Sequence, residues 1–189
     1  MQPVRKKDSR YTYADYYSWD DNERWELIEG VQYAMPPAPT WKHQLISSNI
    51  HGQIWQYLRG KNCSVFSSPI DVRLNADTDD NNVVQPDIIV VCDKSKLEDS
   101  RAYVGAPDMV VEVLSPSTEK HDRLTKFKLY LNAGVREYWI VDPESKMVQV
   151  NILNSGKYTI SAYDETDSIP VHVLDGCVVD LAEVFETEE

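Results

Sequence analysis

Two short runs of mostly β-branched residues, each carrying one acid, constrain this chain more than any other feature. The first is Pro86-Asp87-Ile88-Ile89-Val90-Val91-Cys92 and the second is Asp108-Met109-Val110-Val111-Glu112-Val113-Leu114. Neither alternates apolar with polar, so each reads as a strand covered on both faces. A sheet covered on both faces needs other layers packed against it. Asp87 opens the first run and Glu112 lies inside the second. An ionised carboxylate in an apolar run is costly unless it is paired or bound to metal. Two such acids on adjacent strands can converge on one edge of a sheet. With a backbone carbonyl, for which Val113 is the candidate, they would make a hard, oxygen-rich site for Mg²⁺ or Mn²⁺. A site of that kind activates water and offsets charge building on a phosphodiester. In the plainer alternative, Asp87 bonds to loop amides at a strand start and Glu112 pairs with a nearby Lys or Arg.

The remaining sequence supplies helices and strands in mixed order. Residues 12–19 predict a short helix with Thr12 as its N-cap. Residues 25–35 predict two short strands turning near Gly30, after which Pro36, Pro37 and Pro39 break regular structure. Over 41–59, Ile46, Ile50, Ile54 and Leu58 recur every four residues, a helical period that ends at Gly60. Strands follow at 63–66 and 70–74, then a polar loop over 75–82. Ser115-Pro116-Ser117-Thr118 signals a helix start with Ser117 or Thr118 as cap; that helix runs to about Ala133 and stops at Gly134. A strand is expected over 135–141, a hairpin over 147–153 and 158–163 around Asn154-Ser155-Gly156, and a last helix over 180–185. The order predicts an α/β (α+β) fold, a mixed sheet flanked by helices with added hairpins, and one domain spanning 1–189.

Composition narrows the function classes. The chain has 189 residues, 42% of them hydrophobic, enough to bury a core. No apolar run is long enough to span a bilayer, and the first residues lack the apolar segment of a secretory signal, so a cytoplasmic location is expected. There is no P-loop, GxGxxG or GxSxG, so a nucleotide cofactor or a hydrolase triad lacks support. Cys63, Cys92 and Cys177 are far apart and form no CxxC pair; all three are expected to be reduced and structural. The net charge of −12 opposes nucleic-acid binding at first sight, but residues 142–189 hold 11 acids against 2 bases and account for most of it.

One combination of motifs is more specific. Gln85-Pro86-Asp87 is followed by Val111-Glu112-Val113-Leu114-Ser115-Pro116-Ser117-Thr118, then Asp122 and Lys126, then Tyr130, Ala133-Gly134-Val135 and Glu137-Tyr138-Trp139-Ile140-Val141-Asp142-Pro143. This pattern, with Trp25-Glu26-Leu27-Ile28-Glu29-Gly30 and His43 upstream, resembles the Uma-type restriction endonuclease family of the PD-(D/E)XK, restriction-endonuclease-like superfamily. The resemblance implies that Asp87 is the aspartate of the Pro-Asp motif, that Glu112 is the acid of the E-x-K element, and that both ligate metal. Position 114 is Leu where the superfamily lysine stands, and Lys126 on the following helix takes its place. A lysine on a long stem can reach one point from a different backbone origin, where it would orient water or offset phosphate charge. Glu26 resembles the acid supplied by an early element.

Each of these residues also has a plainer reading. Lys126 and Asp122 could form a surface ion pair four residues apart. On a helical wheel Leu124, Phe127 and Leu131 share one face, with Asp122 and Lys126 opposite, flanked by Leu129 and Tyr130. Glu26 could pair within its hairpin, and His43 could make a structural bond at a helix start. Asp122, His43 and Tyr130 are supporting candidates, Trp139 is expected in the core, and His51, His121 and His172 carry no assignment. The resemblance implies a Mg²⁺-dependent endonuclease hydrolysing DNA, with a homodimer suited to cutting two strands. The rival is a non-catalytic nuclease fold that binds nucleic acid or protein, and a weaker third is a metal-dependent hydrolase of another substrate.

Overall fold

The computed structural model describes residues 10–20, 23–35, 38–98, 101–116 and 119–186. The chain runs through α1 (Tyr13–Tyr17), β1 (Trp25–Ile28), β2 (Val31–Ala34), α2 (Trp41–Leu58), β3 (Ser64–Ser67), β4 (Asp71–Arg73), β5 (Val83–Val84) and β6 (Ile88–Val91). It continues through β7 (Leu97–Glu98), β8 (Ala102–Val104), β9 (Met109–Val113), a π-helical run (His121–Lys126) that leads into α3 (Phe127–Ala133), and β10 (Glu137–Asp142). It ends in β11 (Met147–Asn154), β12 (Lys157–Asp164), β13 (Ser168–Pro170), β14 (Val178–Asp180) and α4 (Leu181–Phe185).

The strands form two six-stranded mixed sheets and one separate hairpin, β13-β14. The first sheet has the order β2-β1-β5-β4-β8-β7 and the second β12-β11-β10-β9-β6-β3. In the second, β6 and β9 are antiparallel, whereas β9 and β10 are parallel and joined across the π run and α3. Parallel neighbours require such a crossover.

The double coverage read from the apolar runs is present. Ile88, Val90, Met109, Val111 and Val113 pack with Ile46, Ile50 and Ile54 of α2 in one core. Ile89, Val91, Val110 and Leu114 face the other way, onto Leu129 and Tyr130 of α3 and onto Val72, Val84 and Tyr103 of the first sheet. Trp139 is fully buried beside the α2 core, as expected. Thr12 caps α1 in a reciprocal capping box with Asp15. Gly134 ends α3 in the left-handed region at φ +84°, where glycine has no steric cost.

Two expectations need correction, and one open alternative is decided. The α/β (α+β) class with mixed strands and flanking helices holds, but the one mixed sheet is two: β5 and β7 have two residues each, too few for any periodicity to register. The two readings left open for the Asp122 and Lys126 face, surface ion pair or half-apolar buried side, resolve to the buried one: Asp122, Lys126, Leu129 and Tyr130 are buried, while Leu124 is 55% exposed. Cys63 and Cys92, expected to be reduced, form a disulfide. The register Ser64↔Val91 continues one step to set Cys63 opposite Cys92, a proximity that 29 residues of intervening chain conceal. Cys177 is free and buried. The expected breaks at Pro36 and Pro37 and the caps Ser117 and Thr118 lie outside the described residues.

Candidate functional site

Antiparallel pairing brings the two strand acids together. Ile88 pairs with Val111 and Ile89 with Val110, so the same register sets Asp87 opposite Glu112, and opposed residues project from the same face of a sheet. The first sheet adds Glu26, carried on β1 and fixed because its Oε1 accepts the backbone N–H of Gln85 at 3.0 Å. Gln85 and Asp87 therefore tie the two sheets together around one short segment.

The helix after β9 supplies the cation. Lys126 Nζ lies 2.9 Å from Glu26 Oε1, 3.0 Å from Glu112 Oε1 and 3.6 Å from Asp122 Oδ1, and its side chain is only 6% exposed. The Tyr130 hydroxyl, one helical turn on, donates to the same Glu112 oxygen at 2.6 Å. Asp122, Lys126 and Tyr130 thus form a stripe spaced by four residues. At the other acid, Asp87 Oδ2 accepts the Val113 N–H at 2.8 Å and lies 3.2 Å from His43 Nε2 in the first turn of α2. The plainer readings of Asp87 as an acceptor of a backbone amide and of Glu112 as a lysine partner are therefore also realised in the geometry.

These groups lie at a cleft of about 1030 Å³ whose lining includes Glu26, His43, Asp87, Glu112, Asp122 and Lys126. Burial sets its protonation. The Glu112 carboxyl is held well above the usual range by burial; the Lys126 charge opposes this, while Asp122, Asp87 and Glu26 push the same way. Burial alone would lower the Lys126 ammonium, but the Glu112, Glu26 and Asp122 carboxylates outweigh it and keep it charged. Tyr130 is raised by burial and then by Glu112, so its phenol stays a donor. His43 is lowered by burial but raised on balance by its bond to Asp87.

Among the described residues no three His, Cys, Asp or Glu side chains already converge in ligand geometry. The donors that line the cleft nonetheless suit a hard cation. Asp87, Glu112 and the backbone of Val113 are oxygen donors. One ammonium faces Glu112, Glu26 and Asp122, and the raised Glu112 carboxyl means that the cluster favours one more positive charge, a proton in the free protein.

Residues 13–182 match the model of the Uma2 family, described as "Putative restriction endonuclease". The chain belongs to the Uma2 family. It is 30% identical over 159 residues to the uncharacterized protein slr1290 of Synechocystis sp., an alignment covering 82% of this chain and 81% of the relative. Its structure resembles a crystal structure from Anabaena variabilis ATCC 29413 described as "a putative nuclease belonging to DUF820". The TM-score is 0.75 at 20% identity, covering 92% of this chain and 97% of that one, a likeness of fold.

In this Uma2 chain Asp87, Glu112, Val113, Lys126, Glu26, His43 and Asp122 all line the one cleft. Tyr130 stands behind Glu112, fully buried. His121, to which the sequence assigns no role, also lines the cleft. Its Nε2 lies 3.9 Å from Glu26 Oε2, and its ring packs against Tyr33 with centroids 4.8 Å apart. Burial, and then Lys126, lower its pKa, so the imidazole is neutral at neutral pH. His121 and Lys126 are five residues apart, which an α-helical wheel separates and a π turn brings to one side. Such turns are frequent at functional sites.

Proposed function

We propose that this chain is a divalent-metal-dependent endonuclease that hydrolyses phosphodiester bonds in DNA. The observation that carries the reading is the pair of strand carboxylates facing one cleft, with the Lys126 ammonium bonded to Glu112 and Glu26. Asp87 and Glu112, with the Val113 carbonyl, are the groups that would hold Mg²⁺ or Mn²⁺. Such an ion supplies Lewis acidity toward a phosphoryl oxygen and lowers the pKa of water.

The protein's own residues have distinct tasks in this reading. Tyr130 and Lys126 hold Glu112 in one orientation by two bonds to a single oxygen, so that its other oxygen is the one that would serve as a ligand. Val113 N–H and His43 do the same for Asp87. The charged Lys126 offsets negative charge on the phosphate in the transition state, and its long stem lets it act from the π-helical run before α3 in place of the missing lysine at position 114. Glu26 fixes the ammonium, and Asp122 adds a third carboxylate to it. In a homodimer, two such clefts would address two strands.

The test is incubation of purified protein with duplex and single-stranded DNA and with RNA in Mg²⁺ or Mn²⁺, beside Asp87→Ala and Glu112→Ala. Cleavage of DNA by the wild type, lost at least 100-fold in both variants, is the expected result. Cleavage that survives both substitutions, or that needs no divalent ion, refutes the assignment. DNA binding without cleavage in either ion would favour the non-catalytic reading.

A further inference from the structure

The protein carries 31 acidic residues in 189, about one in every six, yet residues 30–70 contain no Asp or Glu. That acid-free stretch forms β2, α2 and β3, and it supplies more than half of the residues lining the cleft, including Tyr33, Thr40, Gln44, Ser48, His51 and Ser68. The acids in the lining are Glu26, Asp87, Glu112 and Asp122. A strongly acidic molecule therefore borders its cleft with a stretch that carries Lys42, Arg59 and Lys61 and no carboxylate, which removes repulsion toward an anionic polymer and gives that stretch the opposite sign.

The helix α2 shows how that wall could be used. Its inner face packs Ile46, Ile50 and Ile54 into the core. One flank is tied down, because Asn49 donates to the Glu183 and Val184 carbonyls and Gln53 to the Asp180 carbonyl. The remaining face carries Trp41, Gln44, Ser48, His51 and Trp55, at alternating spacings of three and four residues, and Arg59 follows as the residue that caps the helix. Trp41 is 71% exposed and Trp55 is 54% exposed, and the Arg59 guanidinium lies 5.5 Å from the centre of the Trp55 ring. The two indoles are fourteen positions apart, roughly 21 Å along the axis at a rise of 1.5 Å per residue. Between them lie small or polar side chains, of which Gln44, Ser48 and His51 open into the cleft.

Resting on the nuclease reading, we infer that this face of α2 is the substrate track, and that its occupant is a single strand of nucleic acid. Its bases stack on Trp41 and Trp55, and its backbone runs past Arg59 toward the cleft. Duplex binding proteins neutralise many phosphates with Lys and Arg. This face has few bases to offer, and Lys42 is already 3.2 Å from Glu144. Exposed indoles with one stacked arginine fit the alternative, in which stacking supplies most of the affinity and bases of any sequence are accepted.

The experiment measures binding of a fluorescein-labelled single-stranded DNA oligonucleotide and its duplex by anisotropy in EDTA, where cleavage is excluded. The proteins are the wild type, Trp41→Ala and Trp55→Ala. Both tryptophans are solvent-exposed, and circular dichroism checks that the variants are folded. The single strand should bind more tightly than the duplex, and each tryptophan variant should lose about tenfold in affinity. Wild-type affinity in both tryptophan variants, tighter binding of duplex, or no binding by the wild type overturns the inference. If DNA is cleaved but the tryptophan variants bind normally, only this inference falls. If the variants lose binding but no metal supports cleavage, only the nuclease reading falls.

Discussion

At the scale of single residues the cleft is an exercise in placing charge out of water. Lys126 is buried with Glu112, Glu26 and Asp122 around it, so its removal leaves carboxylates with no counter-charge. Lys126→Met should lower stability by about 3–5 kcal/mol in denaturant titrations. The deficit has a defined pH dependence. Glu112 is raised by burial, so its folded form prefers the proton; stability is then lost as pH climbs from the ordinary glutamate range through the elevated value. The variant should therefore approach the wild type at low pH and fall behind as pH rises. Cys177 offers a separate check. Burial pushes its thiol up to about 11, so almost no thiolate is present at pH 8. It should resist iodoacetamide in the native protein and react on unfolding. Rapid native labelling, read by mass spectrometry, would contradict the buried position.

At the scale of elements, length decided what was legible. The helix over Trp41–Leu58 and the strands β6 and β9 carry patterns of several residues, and the expected boundaries differ from the observed ones by one or two positions. The acids Asp87 and Glu112 were legible for the same reason, since each interrupts an apolar run. In the first sheet β1, β2 and β4 match predicted strands, but β5, β7 and β8 have two or three residues and carry no pattern, so the sequence does not show that Glu26 stands on a sheet of its own. The π run was also hidden: it changes which side chains align without changing composition, and His121 was left unassigned on that account. Pairing partners were likewise invisible, which is why Cys63 and Cys92 were expected to be reduced. The disulfide joins β3 to β6 at the end of the strand remote from Asp87. Cys92→Ser should cost about 3–4 kcal/mol under non-reducing conditions, from loop-closure entropy over 29 residues, and almost nothing in dithiothreitol. Equal denaturation midpoints for both proteins without reductant would contradict the crosslink.

At the scale of the molecule, two sheets and two helices converge on one cleft. The first sheet brings Glu26, the second brings Asp87 and Glu112, the crossover helix brings Lys126, and α2 brings His43. No single element could assemble that set, and family membership says which fold does so rather than what it cuts. The central claim is that Asp87 and Glu112 together grip one divalent ion. The most direct measurement is isothermal titration of the purified protein with Mn²⁺, with electron paramagnetic resonance to count bound ions. The account predicts saturable binding to the wild type, weakened at least tenfold in Asp87→Ala and in Glu112→Ala. Wild-type protein that binds no Mn²⁺, or variants that bind it as tightly as the wild type, would contradict it.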